Sequence, residues 1–169
     1  MTNNYELQGF ITNLGKYNES ELIGEWISFP IDEDELQAVY SRIGINERYE
    51  EYFFTDWQQS EDIFNLGEYV NVEEVNEAAE RVQELDDYDL ETLEAVCEAN
   101  GRLNIWDEIN IDNYQYYSGQ TLEDVAYDLV HDCYDLPEFA ERYFDYEAFA
   151  RDLSFDGYTE TSNGVIVCC

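Results

Sequence analysis

Glu73, Glu77, Glu80 and Glu84 follow one another at intervals of four, three and four residues, with no lysine among them. On an α-helix that spacing gathers four carboxylates into one stripe. Glu91, Glu94 and Glu98 repeat the arrangement, as do Asp124, Asp128 and Asp132, while Asp86 and Asp87 stand between the first two groups. Carboxylates so placed can do three kinds of chemistry. They can move protons as an acid–base pair, ligate a hard cation such as calcium, or present negative charge to a cationic partner.

The first possibility carries almost no information, because 41 aspartates and glutamates guarantee accidental pairs. The second has one near match. In "DLSFDGYTETSN", Asp152, Ser154, Asp156 and Gly157 occupy positions 1, 3, 5 and 6 of a calcium loop. Position 12 is Asn163, where a bidentate glutamate is needed, and the following residues do not read as a helix. Nucleophilic catalysis by a serine or cysteine would require a histidine base. The only histidine, His131, lies between Asp128 and Cys133 on a partly polar helix and reads as a surface residue. No GxGxxG, P-loop or CxxC pair is present. No catalysis, metal or cofactor is expected.

Charge display remains. The chain carries one lysine, Lys16, and six arginines, for a formal net charge of −34 over 169 residues. Such a chain repels nucleic-acid phosphates and anionic membranes, so its partners should be basic. Ordinary solvated helices mix Glu and Lys at i, i+4, because like charges at that spacing weaken a helix. Residues 73–100 hold eleven acids and a single base, Arg81. Folded as a helical hairpin about 21 Å long, they would carry roughly one charge per 2 Å. Duplex DNA carries one per about 1.7 Å.

The chain is nevertheless built to fold: 16% of its residues are aromatic, far above an acidic disordered segment. Cys97 and Cys133 sit on apolar helical faces as small buried thiols, and Cys168–Cys169 match no zinc or redox spacing. With no leader-like N-terminus and no apolar run near the roughly 20 residues a bilayer requires, a cytoplasmic protein is expected.

Periodicity places the acids on an α+β chain with three segments, 1–61, 62–103 and 104–169. The first reads as β-β-α-β. "LQGFITNLGKY" and "LIGEWISFP" are strands, and Asp32 caps a helix with Glu35 as its box partner. That helix turns Leu36, Val39, Tyr40 and Ile43 inward and stops at Gly44, before a strand in "EEYFFTDW". The second is an αα-hairpin: Asn71 caps a helix striped with Val72, Val75, Ala79 and Val82, and a second helix carries Leu90, Leu93, Val96 and Cys97. The third opens with strands in "RLNIWDEINIDNYQYY" and continues with three helices. The first runs from Thr121 with Leu122, Val125, Ala126, Leu129 and Cys133 inward. The next starts at Asp135 with Glu138 as box partner and uses Phe139 and Tyr143. The last starts near Asp145 and buries Tyr146, Phe149, Ala150 and Leu153, and "TSNGVIVCC" reads as a short strand or a tail.

Four blocks, "LGKYNESELIGEWISFP", "EEYFFTDWQ", "GEYVNVEEVNEAAERVQEL" and "CYDLPEFAERYFDYEAFARDL", resemble the ArdA family of antirestriction proteins, in order from about Gly9 to Leu153. The resemblance implies a non-catalytic protein of mobile genetic elements. It implies mimicry of B-form DNA and occupation of the DNA-binding groove in the methyltransferase core of type I restriction-modification enzymes. It further implies an elongated chain of three small domains that forms a homodimer through its C-terminal domain. The family's antirestriction motif corresponds to about Leu122–Leu136, so Leu122, Val125, Ala126, Leu129, Val130, Cys133, Tyr134 and Leu136 are expected in the dimer region. An acidic calcium-binding or generic basic-protein-binding module is the alternative.

Overall fold

Along Leu7–Asn13 the residues Leu7, Gly9 and Ile11 are buried, and this strand (β1) is the centre of the first sheet. The computed structural model describes residues 3–169. After β1 the chain forms α1 (Leu14–Asn18), β2 (Gly24–Phe29), α2 (Glu33–Ile43), β3 (Tyr52–Gln59) and β4 (Phe64–Asn65). It continues through α3 (Val72–Gln83), α4 (Asp87–Asn100), β5 (Leu103–Asn104), β6 (Tyr114–Ser118) and α5 (Leu122–Cys133). The last elements are α6 (Glu138–Glu141), α7 (Tyr146–Phe155), β7 (Tyr158–Thr161) and β8 (Gly164–Cys168). The chain is α+β, as its periodicity predicts.

Contacts gather these elements into two units. The first holds the described residues up to Asp87 together with Arg102–Glu108; the second holds Tyr88–Gly101 and Ile109–Cys169. The two helices read from sequence as a hairpin are thus divided between units, α3 in the first and α4 in the second.

In the first unit β1 pairs antiparallel with β2 (Leu7 opposite Phe29) and with β3 (Leu7 opposite Gln59), with a bulge between Phe10 and Ile11. Leu7, Ile11, Ile27, Phe29 and Phe54 from the sheet and Leu36, Val39 and Ile43 from α2 are all buried. Asp32 caps α2 by accepting from the Glu35 N–H at 2.8 Å, and Gly44 ends it at φ +81°, a left-handed conformation that favours glycine. Residues 14–17, expected to prolong a strand, instead turn into α1, because Asn13 caps it through the Lys16 N–H. The return segment joins this unit through a short parallel pair, Phe64 opposite Leu103.

The second unit is a sheet in the order β6-β8-β7 covered on both sides. Val165 belongs to a core with Val125 and Ala126 of α5 and Ala150 and Leu153 of α7. Ile166, its neighbour, faces Ala95 and Val96 of α4 and Tyr116 of β6. A strand buried on both faces shows an unbroken apolar run instead of alternation, which is why "GVIV" left strand and tail undecided. It is the central strand. At Gly164 an added Cβ would lie 2.4 Å from the Tyr117 carbonyl oxygen, so the pairing of β8 with β6 depends on the missing side chain.

Two expectations fail here. The helix expected from Asp135 is only the four-residue α6, with Pro137 at its N-cap position and no side-chain cap. Its rings have no sheet beneath them: Phe139 and Tyr143 are 74% and 75% exposed and lean on each other, 5.2 Å between centroids. Cys133, expected inward, is exposed at the end of α5, whereas Cys97 is buried.

Candidate functional site

The acidic face of α3 is made by how firmly its other face is held. Asn71 starts the helix by accepting from the Glu73 N–H at 2.7 Å, and Glu73 and Glu74 fall where the helix dipole favours anions. Val72, Val75, Ala78, Ala79 and Val82 form the buried stripe. Polar side chains beside it fasten the helix to the unit. Asn76 accepts from the Ile31 N–H at 2.8 Å and donates to the Ile31 carbonyl at 2.9 Å, while Gln83 donates to the Tyr5 carbonyl at 3.1 Å. These contacts fix the rotation of α3, and the remaining side, with Glu73, Glu77, Glu80 and Glu84, is exposed.

Arg81 decides whether that side is neutralised. It is the one base in residues 73–100, and from sequence its destination was open. Its guanidinium turns inward, Nη2 donating to the Ile105 carbonyl, with Nε buried. Of the six other bases, Arg151 lies on α7, and the remaining five pair with acids elsewhere. Lys16 pairs with Glu21, Arg42 with Glu25 and Glu35, Arg48 with Glu19, Arg102 with Asp62, and Arg142 with Glu138. Among the described residues, no acid of α3 pairs with a lysine or arginine.

Spacing along this face can be put in numbers. Counting Glu74, five exposed carboxylates span Glu73 to Glu84, about 17 Å of helix, or one per roughly 3–4 Å. A single DNA strand rises about 3.4 Å per phosphate. The density of one charge per about 2 Å, expected for a hairpin, belongs to neither helix alone.

The acids of the second unit are arranged differently. Glu91 accepts from the Ser118 hydroxyl at 3.1 Å, and Glu98 accepts from both the N–H and the hydroxyl of Ser162, at 2.9 and 2.8 Å. Asp124 completes a reciprocal capping box with Thr121 at the start of α5. Glu160, overlooked from sequence, accepts from the Leu122 N–H at 2.8 Å and so serves the same helix end. Glu94 is half-buried, whereas Asp128 and Asp132 are exposed, as are Asp86 and Asp87 of the first unit. Burial pushes the Tyr116 hydroxyl above its usual value, and the charges of Glu91, Glu94 and Glu98 push it further. These three carboxylates of α4 thus act on one tyrosine.

Among the described residues there is no group of three or more His, Cys, Asp or Glu placed to hold a metal, and no helix long and apolar enough to cross a membrane. Asp152 and Ser154 lie within α7, and Asp156 is its C-cap, ahead of the strand β7. The segment is helix, turn and strand.

The profile of the ArdA family, described as antirestriction protein, matches residues 10–167. The chain belongs to the ArdA antirestriction family. A search of curated proteins finds no match.

For an ArdA chain, the segment Leu122–Leu136 is of particular interest. Val125, Ala126 and Val130 are buried in the unit's own core, and Leu122, Leu129 and Leu136 are half-buried. Only Cys133 and Tyr134 of the expected set are fully on the surface, joined by Tyr127, which is 49% exposed.

Proposed function

We propose that this ArdA chain inhibits type I restriction-modification enzymes by mimicking B-form DNA and occupying the DNA-binding groove of their methyltransferase core. Such a groove binds DNA largely by neutralising phosphates and releasing their counterions. A protein face that holds carboxylates at phosphate-like spacing meets the same requirement while offering no base edges and no scissile bond. The observation that carries this reading is α3, whose exposed carboxylates are not offset by Arg81, which is directed to the Ile105 carbonyl. The second unit carries further acids of its own at Glu91, Glu94, Glu98, Asp124, Asp128 and Asp132.

The reading includes a protein that performs no catalysis, acts in the cytoplasm of a cell carrying a mobile element, and works as an elongated homodimer. Its sequence segments 1–61, 62–103 and 104–169 would serve as three modules, the last bringing two copies together through residues 122–136. The test is competition. Labelled duplex DNA bound to a purified type I methyltransferase is titrated with the protein in dilute buffer. Stoichiometric displacement is expected. Failure to displace at concentrations well above that of the bound duplex contradicts the proposal.

A further inference from the structure

His131, the chain's only histidine, does more than sit on the surface. It lies at the C-terminal end of α5 with its ring stacked on Tyr127 at 3.9 Å and a longer approach to Tyr146 of α7 at 6.2 Å. Both ring nitrogens meet acceptors. Nδ1 is 2.8 Å from the Tyr127 carbonyl oxygen, and Nε2 meets the carboxylate of Glu141 on α6. A neutral imidazole has one N–H and can serve only one of them, leaving a lone pair against the other oxygen. The imidazolium has two N–H groups and serves both.

What this contact holds is the segment between α5 and α7. At its far end Phe144 lodges against Tyr146 and Phe149, at 4.9 and 5.9 Å. Between these anchors the chain displays Tyr134, Phe139 and Tyr143, all more than 60% exposed, with little apolar burial to hold them. The polar contact to Glu141 is therefore a large share of what positions the segment.

We infer that His131 is a proton-operated clasp: as an imidazolium it fastens α6 to α5, and on losing its proton it releases Glu141 and loosens residues 134–145. The groups facing the ring are Tyr127 and Asp128 on α5, Glu141 on α6 and Tyr146 on α7. The hydrogen bond to the Tyr127 carbonyl holds the ring above its ordinary pKa. The Glu141 hydrogen bond adds to this, desolvation opposes it, and the charges of Glu141 and Asp128 contribute less in the raising direction. Because the folded value is raised, the clasp is fully closed below the ordinary value of about 6.5. It opens as pH climbs through the raised value. The inference is independent of any mimicry of DNA.

A single histidine makes the test unambiguous. The ring of the full chain is titrated by NMR in low and high salt, beside Glu141→Gln and Asp128→Asn. Hydrogen exchange of residues 134–145 is followed below and above the midpoint and corrected for the intrinsic rate. The wild-type midpoint should stay above the ordinary value in both salts, and Glu141→Gln should lower it more than Asp128→Asn. Protection of 134–145 should fall several-fold above the midpoint in the wild type and should be low at every pH in Glu141→Gln. A midpoint that reaches the ordinary value in high salt would reveal only the diffuse field of the acids, and would overturn the clasp. Equal shifts in the two variants, or protection that ignores the midpoint, would overturn it too.

Discussion

The acids of α3 and those of α4 and α5 share a residue type and a helical spacing, yet the fold uses them in different ways. On α3 the fastening is done by Asn76, Gln83 and Arg81, so the glutamates of the opposite face are left to water. On α4 and α5 the fastening is partly done by the acids themselves: Glu91 and Glu98 bind serine groups of the sheet, and Asp124 closes a helix end. Spacing alone therefore does not say whether a carboxylate is left to water or serves as a structural acceptor. The location of the other polar partners does.

Substitutions can sharpen or break this division, and the largest effect should come from α3. Replacing Glu73, Glu77, Glu80 and Glu84 together by glutamine removes four contacts, each worth about 0.2–1 kcal/mol if they resemble exposed ion pairs. Affinity for a type I methyltransferase should fall roughly tenfold or more, while thermal stability holds or rises as like-charge repulsion is relieved. Calorimetry beside binding measures both, and a variant that loses stability but keeps affinity would erase the distinction.

Arg81→Met should do the reverse. It leaves the Ile105 carbonyl without its partner, costing about 1–3 kcal/mol of stability, with little change in affinity of the folded protein. Chemical denaturation measures the loss. A gain in affinity comparable with removing a base from the binding face would mean that the guanidinium reaches the target after all.

Glu98→Ala should come next, with a loss of about 1 kcal/mol read from the same denaturation curves, because Ser162 loses its acceptor at the β7–β8 turn. Ser162→Ala in the Glu98→Ala background should then add little, since both ends of one interaction are already gone. Additive losses would place Glu98 among the free charges. The smallest effect is expected for Glu77→Gln alone, a few tenths of a kcal/mol in binding. A single change there that abolished inhibition with the fold intact would argue for a specific contact in place of a distributed field.

Much of this arrangement can be read from local pattern. The caps at Asp32, Asn71, Thr121 and Asp145 are short-range contacts, and the structure places a helix after each. The glutamate stripe of α3 lies where its apolar complement requires. What local pattern misses depends on partners far along the chain. Glu98 meets Ser162 across 64 residues, and Arg81 meets Ile105 across 24, so neither destination is written near the residue. The strand β8 hides its period because helices cover both its faces. In the segment after α5 the apolar residues were assigned inward by helical spacing, although no layer lies below them to receive Phe139 and Tyr143.

The salt dependence of binding to a type I methyltransferase, compared between the wild type and the fourfold α3 variant, tests the central claim most directly. If α3 stands in for phosphates, log affinity of the wild type falls steeply and linearly with log salt, and the variant gives a visibly shallower line. Parallel lines for the two proteins, or a flat line for the wild type, would mean that the groove does not read this face as DNA.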